Sequence, residues 1–188
     1  GRLSTLVDRL LALSRAEIGQ VKLSRDVVDL RSLAEDAVAQ LGVLAEEKRQ
    51  TMTVEPGGSP FGLGDRVVLR QSLMNLIDNA IKYSPAGGQI RLRVWESPAS
   101  AVLDVIDDGP GIAPDVRARI FDRFYRAGSS RTSERVAGAG LGLSIAKWAV
   151  EANGGQLSLE STSGGGSTFR IAVPRAHTAR PVESRRTA

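Results

Sequence analysis

Three stretches of the chain hold residues whose types and spacing can do chemistry. The first is NLIDNAIKYSP, residues 75–85. Asparagine is a mediocre helix former that prefers caps and turns, yet Asn75 and Asn79 sit four apart in a helical pattern, followed by Lys82. At about 100° per residue the three fall within roughly 60° of one another. Two amides and an ammonium therefore line one helix edge, either to converge on a ligand or to face water. The second stretch is DDGPGI, residues 107–112, directly after a predicted strand. Gly109 and Gly111 let backbone approach a ligand closely, and a carboxylate at a strand end accepts a hydrogen bond from an exocyclic amine such as that of adenine. A plain tight turn uses the same letters. The third is GAGLGL, residues 138–143, a glycine loop feeding a helix. Backbone N–H groups there point at anions, and phosphate is the natural guest. No Gly-Lys-Ser/Thr follows and no strand precedes, so it is neither a P-loop nor a dinucleotide fingerprint; a helix-packing loop remains the plain alternative.

The elements that must position these residues follow from hydrophobic period. Asp29 is the predicted N-cap of a helix over about 30–48, with Leu30, Leu33, Ala37, Leu41 and Leu44 on its apolar side. TMTVEP (51–56) alternates as a strand, and Gly57, Gly58 and Pro60 make a turn. Asp65 caps the helix that carries the first motif, whose stripe is Leu69, Leu73, Leu76, Ile77 and Ala80. Strands at 89–97 and 101–107 form a hairpin. A short helix ends in IFDRFYR (120–126). Residues 127–140, rich in Gly, Ser and Arg, read as mobile. A helix over 141–155 stops at its glycines, and a second hairpin closes the pattern. Residues 3–18 carry Leu3, Leu6, Leu10 and Leu13 at 3-4-3 spacing, the seam of a coiled coil or bundle helix or of an ordinary core helix. Residues 21–28 read as extended. The order gives an α/β (α+β) two-layer sandwich, one helical layer on a mainly antiparallel or mixed sheet.

Composition narrows the function classes. The chain has 188 residues, 41% hydrophobic and 24% charged, as a globular domain should. It has no cysteine, which excludes disulfides and thiolate chemistry. No apolar run approaches the roughly 18 residues of a membrane span, and no basic-then-apolar leader opens the chain. Its opening in mid-helix is expected of a piece of something longer. Residues 175–188 hold four of the 25 basic residues and one of the 21 acidic ones, leaving a body of 21 basic and 20 acidic side chains. The basic balance thus belongs to a tail expected to be disordered. With aromatics at 4% for base stacking, no nucleic-acid partner is expected.

Taken in order, NLIDNAIKYS, DDGPGI, FDRFYR and GAGLGL resemble the N, G1, F and G2 boxes of the sensor histidine kinases of two-component systems. The ATP-binding catalytic domain of that family has the Bergerat (GHKL) fold, shared with Hsp90, gyrase B and MutL. The resemblance covers residues 65–174, and the first helix is similar to the second dimerisation helix of such kinases. It implies four segments: a dimerisation helix over 1–20, a linker over 21–28, a catalytic domain over 29–174 and a tail over 175–188.

The resemblance also implies roles. Asn79 would coordinate Mg²⁺ bridging the phosphates of ATP, and an amide oxygen suits such a hard cation. Asn75 would line the same pocket, Lys82 would neutralise phosphate charge, and Tyr83 would lie against the nucleotide. Asp107 would accept the adenine amino group, Gly109 and Gly111 would make room for the base, and Ile112 would cover it. Phe121 and Phe124 would anchor a lid. Arg126, with Arg131 as a second candidate, would reach the γ-phosphate. Gly138, Gly140 and Gly142 would wrap the phosphates while Leu141 and Leu143 pin the loop. Asn75, Lys82 and Arg126 would be the catalytic set.

The implied activity is a protein-histidine kinase that passes the γ-phosphate to a histidine on the dimerisation helix, for relay to a response-regulator aspartate. The implied partners are ATP, the protein's own dimerisation domain in a homodimer, and a response regulator. The segment itself would be cytoplasmic, in a full-length protein anchored in a bacterial inner membrane. In hydrolytic relatives such as Hsp90 a glutamate stands where this chain has Asn75, and an amide cannot act as a general base. That favours transfer over the alternative, a GHKL-type ATPase or an ATP-binding module without kinase activity. One departure from the family pattern stands out. The single histidine, His177, lies after the last strand instead of on an upstream helix, so the acceptor is expected on a segment outside this sequence.

Overall fold

The computed structural model describes residues 22–126, 140–161 and 165–176. The expected dimerisation helix over 1–20, the lid candidates Arg131 and Gly138, and His177 lie outside them.

Helix α1 (Leu30–Glu47) starts where Asp29 accepts hydrogen bonds from the Arg31 and Ser32 amides, at 2.9 and 3.1 Å. Its buried face is Leu30, Leu33, Ala34, Ala37 and Ala45. Helix α2 (Arg66–Tyr83) repeats the device, with Asp65 accepting from Val67 and Val68. A carboxylate at this end also meets the positive pole of the helix. Leu69, Leu73, Leu76, Ile77, Ala80 and Ile81 are its buried stripe. It stops at Ser84 because Pro85 disfavours helical backbone in the residue before it; Ser84 has ψ 144°. Helix α3 (Gly142–Ala152) buries Ile145, Ala146, Ala149 and Val150 and ends at Asn153 and Gly154.

The main sheet runs β2 (Thr51–Val54), β4 (Gln89–Glu96), β5 (Ser100–Asp107), β7 (Ser167–Pro174), β6 (Gln156–Ser161). Only the β2–β4 pair is parallel, so the sheet is mixed. Ile90, Leu92, Val94, Leu103, Val105, Phe169, Ile171 and Leu157 face the helices and make one core with them. Two layers around this core match the expected sandwich.

Three expectations change. A short pair, β1 (Asp26–Asp29) with β3 (Phe61–Gly64), forms its own antiparallel sheet. The strand at β3 was not expected, since FGLG offers only two large apolar residues. Its pairing draws in Asp26–Val28, which the segment scheme places in a linker. The IFDRFYR helix is not formed: one 3₁₀ turn at Arg117–Arg119 is followed by turns. Finally, Arg175 and Ala176, expected in the tail, are tied to the body. The Arg175 amide bonds Ala99 at 3.0 Å, the Ala176 amide bonds Phe61 at 2.8 Å, and Arg175 bridges Gly62.

On the sheet face away from the helices, Asp104 is fully buried. Its carboxylate accepts from Arg93, Trp95 and Arg170, on the two flanking strands, and Arg170 stacks over Trp95 at 5.1 Å. Burial alone would raise this acid, but the bonds from Arg170, Arg93 and Trp95 outweigh it and hold the carboxyl below its ordinary range. Stability from a depressed acid is present above the ordinary value near 4 and is lost as pH falls through the folded value. We expect Asp104→Ala to cost about 3 kcal/mol in urea unfolding at pH 7. That deficit should shrink as pH is lowered from 5 toward 2.

Candidate functional site

The site is built where α2, the β5 end and the start of α3 meet. Helices α2 and α3 run side by side, tied by the buried Ser72 hydroxyl donating to the Ala146 carbonyl at 3.1 Å. Two turns further along α2, Asn79 lies beside the first residue of α3. A Cβ on Gly142 would stand 3.9 and 4.0 Å from the two amide atoms of Asn79. The polar row of α2 therefore points into the α2–α3 groove. Asn75, between these contacts, is 6% exposed, and its Nδ2 has no hydrogen-bond partner among the described residues.

Lys82 departs from the row. Its ammonium is bonded to Asp78, one turn back on the exposed side. Of the row expected to converge, Asn79 meets the start of α3, Asn75 is buried, and Lys82 turns to Asp78. Tyr83 is half-exposed, and its carbonyl does the positioning: it would stand 3.4 Å from a Cβ on Gly109. The end of α2 therefore abuts the DDGPGI loop.

That loop is organised by Asp107. The residue is 6% exposed at the end of β5, paired with Ile90 on one side and Ser167 on the other. Its carboxylate accepts from the Gly109 amide at 2.8 Å and from the Ser167 amide. A Cβ on Gly109 would fall 2.6 Å from that carboxylate. Burial pushes the Asp107 carboxyl above its ordinary value, and the charge of Asp108 adds to this, while the two amides pull it back. The Asp108 side chain pins the loop by accepting from the Gln89 amide at 2.9 Å.

Sequence reasoning missed Gly166. Its amide bonds the Gly109 carbonyl at 2.6 Å, its φ is +80°, and a Cβ there would lie 2.3 Å from the Asp107 carbonyl. Only glycine fits that approach. The GGGS run at 164–167 was the available signal, read as an ordinary hairpin turn. Ile112, expected to cover the base, packs against the core.

At the other end, Gly140 (φ +70°) lies under Phe124: its carbonyl accepts from the Phe124 amide at 3.0 Å, and a Cβ would meet the Phe124 carbonyl carbon at 2.8 Å. Phe124 itself has φ +60° and is 59% exposed. Strained backbone in a bulky residue is a mark of functional sites. Phe121 does the anchoring, edge-on to Phe169 at 6.3 Å. Leu141 is buried with Ile145, Leu143 packs on the core, and Arg126 is exposed. Among the described residues no side chain caps the start of α3, and the Ser144 hydroxyl donates to the Leu141 carbonyl. A helix start of this kind can offer its first N–H groups to an anion.

The contacts run in one line: Asp107, Gly109, Tyr83, back one turn to Asn79, then Gly142 and on to Gly140 and Phe124. A buried acceptor stands at one end and an uncapped helix start at the other. An amide lies beside that helix start. This arrangement suits a ligand with an amine-bearing base and a phosphate tail.

A helical layer on a mixed sheet with this cleft is the fold of histidine-kinase catalytic domains. The chain belongs to the histidine kinase-, DNA gyrase B-, and HSP90-like ATPase family, whose model matches residues 64–177. It is 34% identical over 173 residues to the sensor-like histidine kinase SenX3 of Mycolicibacterium smegmatis, covering 92% of this chain and 45% of that protein. It is 37% identical over 181 residues to the sensor protein SphS of Synechococcus elongatus, covering 93% and 44%. Among solved structures, full-length ShkA in complex with AMPPNP superposes with a TM-score of 0.80 at 32% identity, over 96% of this chain and 37% of that one. The chain spans less than half the length of these curated relatives.

A raised acid burdens the folded state once it is ionised. For Asp107 that burden is absent below the ordinary carboxyl value and sets in as pH rises through it toward the folded value. Asp107→Asn is therefore expected to melt no lower than the native chain at pH 7 without nucleotide. Any advantage of the variant should fade as pH falls toward 4, as thermal melts across pH would show.

Proposed function

We propose that this chain is the catalytic unit of a sensor histidine kinase. It would bind ATP and pass its γ-phosphate to a histidine on a dimerisation helix, for relay to a response regulator. The observation that carries this reading is the single line of contacts from Asp107 to the start of α3. In this reading the buried carboxylate at one end takes a purine amine and the helix start at the other takes phosphates.

In this reading Asp107 accepts the amino group of adenine, and the Gly109–Gly166 backbone contact leaves space for the ring. The Asn79 amide oxygen is the residue suited to Mg²⁺. Among the described residues no three acidic or histidine side chains cluster as a metal site, so the ion would be held together with the phosphates. When bound, Mg²⁺ neutralises phosphate charge and orients the tail. The N–H groups at the start of α3 bind phosphate oxygens, and Leu141 and Leu143 hold that loop to the core. Arg126 and Lys82 supply positive charge; for Lys82 this requires exchanging Asp78 for phosphate.

Asn75 supports transfer over hydrolysis. It occupies the place of a water-activating carboxylate in hydrolytic relatives and has no proton-accepting function. Phosphoryl transfer rests chiefly on positioning and electrostatics, which this site supplies without a base. The full-length protein is proposed to act as a homodimer at a bacterial inner membrane, its catalytic unit in the cytoplasm. No described helix is long and apolar enough to cross a membrane.

Asp107→Asn should weaken ATP and ADP alike, by about tenfold for one charge-assisted hydrogen bond, and erode the preference for ATP over GTP in calorimetry. Equal ATP and GTP affinity in the native chain would sink the adenine assignment. The transfer itself is tested with γ-labelled ATP and a separate dimerisation domain bearing the acceptor histidine. Acid-labile, alkali-stable label should appear on that domain and be unaffected by His177→Ala. Rapid release of phosphate with no label on the acceptor would favour the ATPase alternative.

A further inference from the structure

Helix α2 has a second set of constraints, at the end away from its N-cap. Helix α1 closes in a turn in which the Arg49 amide bonds the Glu46 carbonyl and the Gln50 amide bonds the Ala45 carbonyl. The residue at the left-handed position of such a turn is usually glycine. Here it is Arg49, with φ +57°. The strained turn throws two side chains onto the last carbonyls of α2. Gln50, 4% exposed, donates through one nitrogen to the carbonyls of Ile81 (3.1 Å), Ser84 (2.9 Å) and Pro85 (3.2 Å). Lys48 donates to the Ile81 carbonyl and, at 3.2 Å, to that of Lys82. A cation here also meets the negative pole of the helix.

The arrangement leaves polar atoms stranded. Among the described residues three buried side-chain atoms have no partner, and two of them, Gln50 Oε1 and Ser84 Oγ, belong to this junction. Native proteins keep few such atoms, and each asks for a reason. The residue between the clamped carbonyls is Tyr83, whose own carbonyl abuts Gly109, and the Gly109 amide is bonded to Asp107.

We infer that Gln50 and Lys48 are positioning residues: they clamp the C-terminal end of α2 and so hold the Asp107–Gly109 loop in its nucleotide-accepting shape. The nucleotide itself rests on the function proposed above; the clamp does not. Neither residue touches the ligand site. Both lie outside the four motifs, on the turn leaving α1.

The test uses Gln50→Met, which keeps the length and apolar stem of the side chain and removes its donors. Leu33→Ala, in the buried face of α1, serves as a variant destabilised elsewhere. Hydrogen exchange is measured on the nucleotide-free chain, and ADP affinity by calorimetry well below the melting temperature. In Gln50→Met the Gly109 amide should exchange at least tenfold faster and ADP should bind five- to tenfold more weakly. In Leu33→Ala both should match the native chain. Lys48→Met should shift both readouts in the same direction by less. Unchanged exchange at Gly109 in Gln50→Met, or equal changes in Gln50→Met and Leu33→Ala, would overturn the inference. A native chain that binds no ADP would instead overturn the proposed function, and the exchange result would still decide the clamp.

Discussion

The lateral fit of α2 against α3 is the constraint on which the cleft depends. Ala80 on one helix and Ala146 and Ala149 on the other are small and buried. The Ser72 hydroxyl fixes the sliding register of the two helices by finding the Ala146 carbonyl. From that contact, seven residues forward along α2 and four back along α3 lead to Asn79 and Gly142, which lie side by side. A one-turn slip would move the amide about 5.4 Å and separate it from the N–H groups beside which it works. The helices are themselves seated on the sheet by Leu73, Leu76 and Ile77, each fully buried.

The two halves of the site rest on different physics. The end near Asp107 is rigid, made of strand pairs whose register is fixed on both sides and of a loop stitched to the Gly165–Ser167 turn. Its carboxylate is desolvated, which strengthens any hydrogen bond it accepts and costs the empty protein some stability. The end near Gly142 is made of a helix start and a strained Phe124, with no side-chain cap. One end suits recognition of a fixed, flat group, and the other suits a charged tail whose length differs before and after reaction.

Much of this was legible in the sequence, for reasons that differ by element. The caps Asp29 and Asp65 and the stripes of α1 and α2 were readable because they depend on neighbours within four residues. Strand β3 was not, because FGLG takes its pairing from the distant Asp26–Asp29 and Arg175. The missing IFDRFYR helix has a similar cause: its apolar spacing serves contacts of Phe121 with Phe169 and of Phe124 with Gly140, not a helix. Among site residues, the four motifs gave the cleft its place. They gave no hint of Gly166, which matters only because β7 lies beside β5. They also suggested one convergent row on α2, whereas i,i+4 pairing with Asp78 draws Lys82 aside. Spacing defines which residues share an edge; it does not say which partner each will choose there.

The join between the two sheets has a mechanical consequence. Val28 and Arg175 both oppose Gly62, from opposite edges of β3, so they lie about 10 Å apart, two strand spacings. The first strand and the last described residues thus meet at one corner, and the Ser24 amide donates to Asp65, the N-cap of α2. Two ends this close can be joined: a brief loop from Ala176 to Asp26 would let the chain be opened elsewhere with little strain.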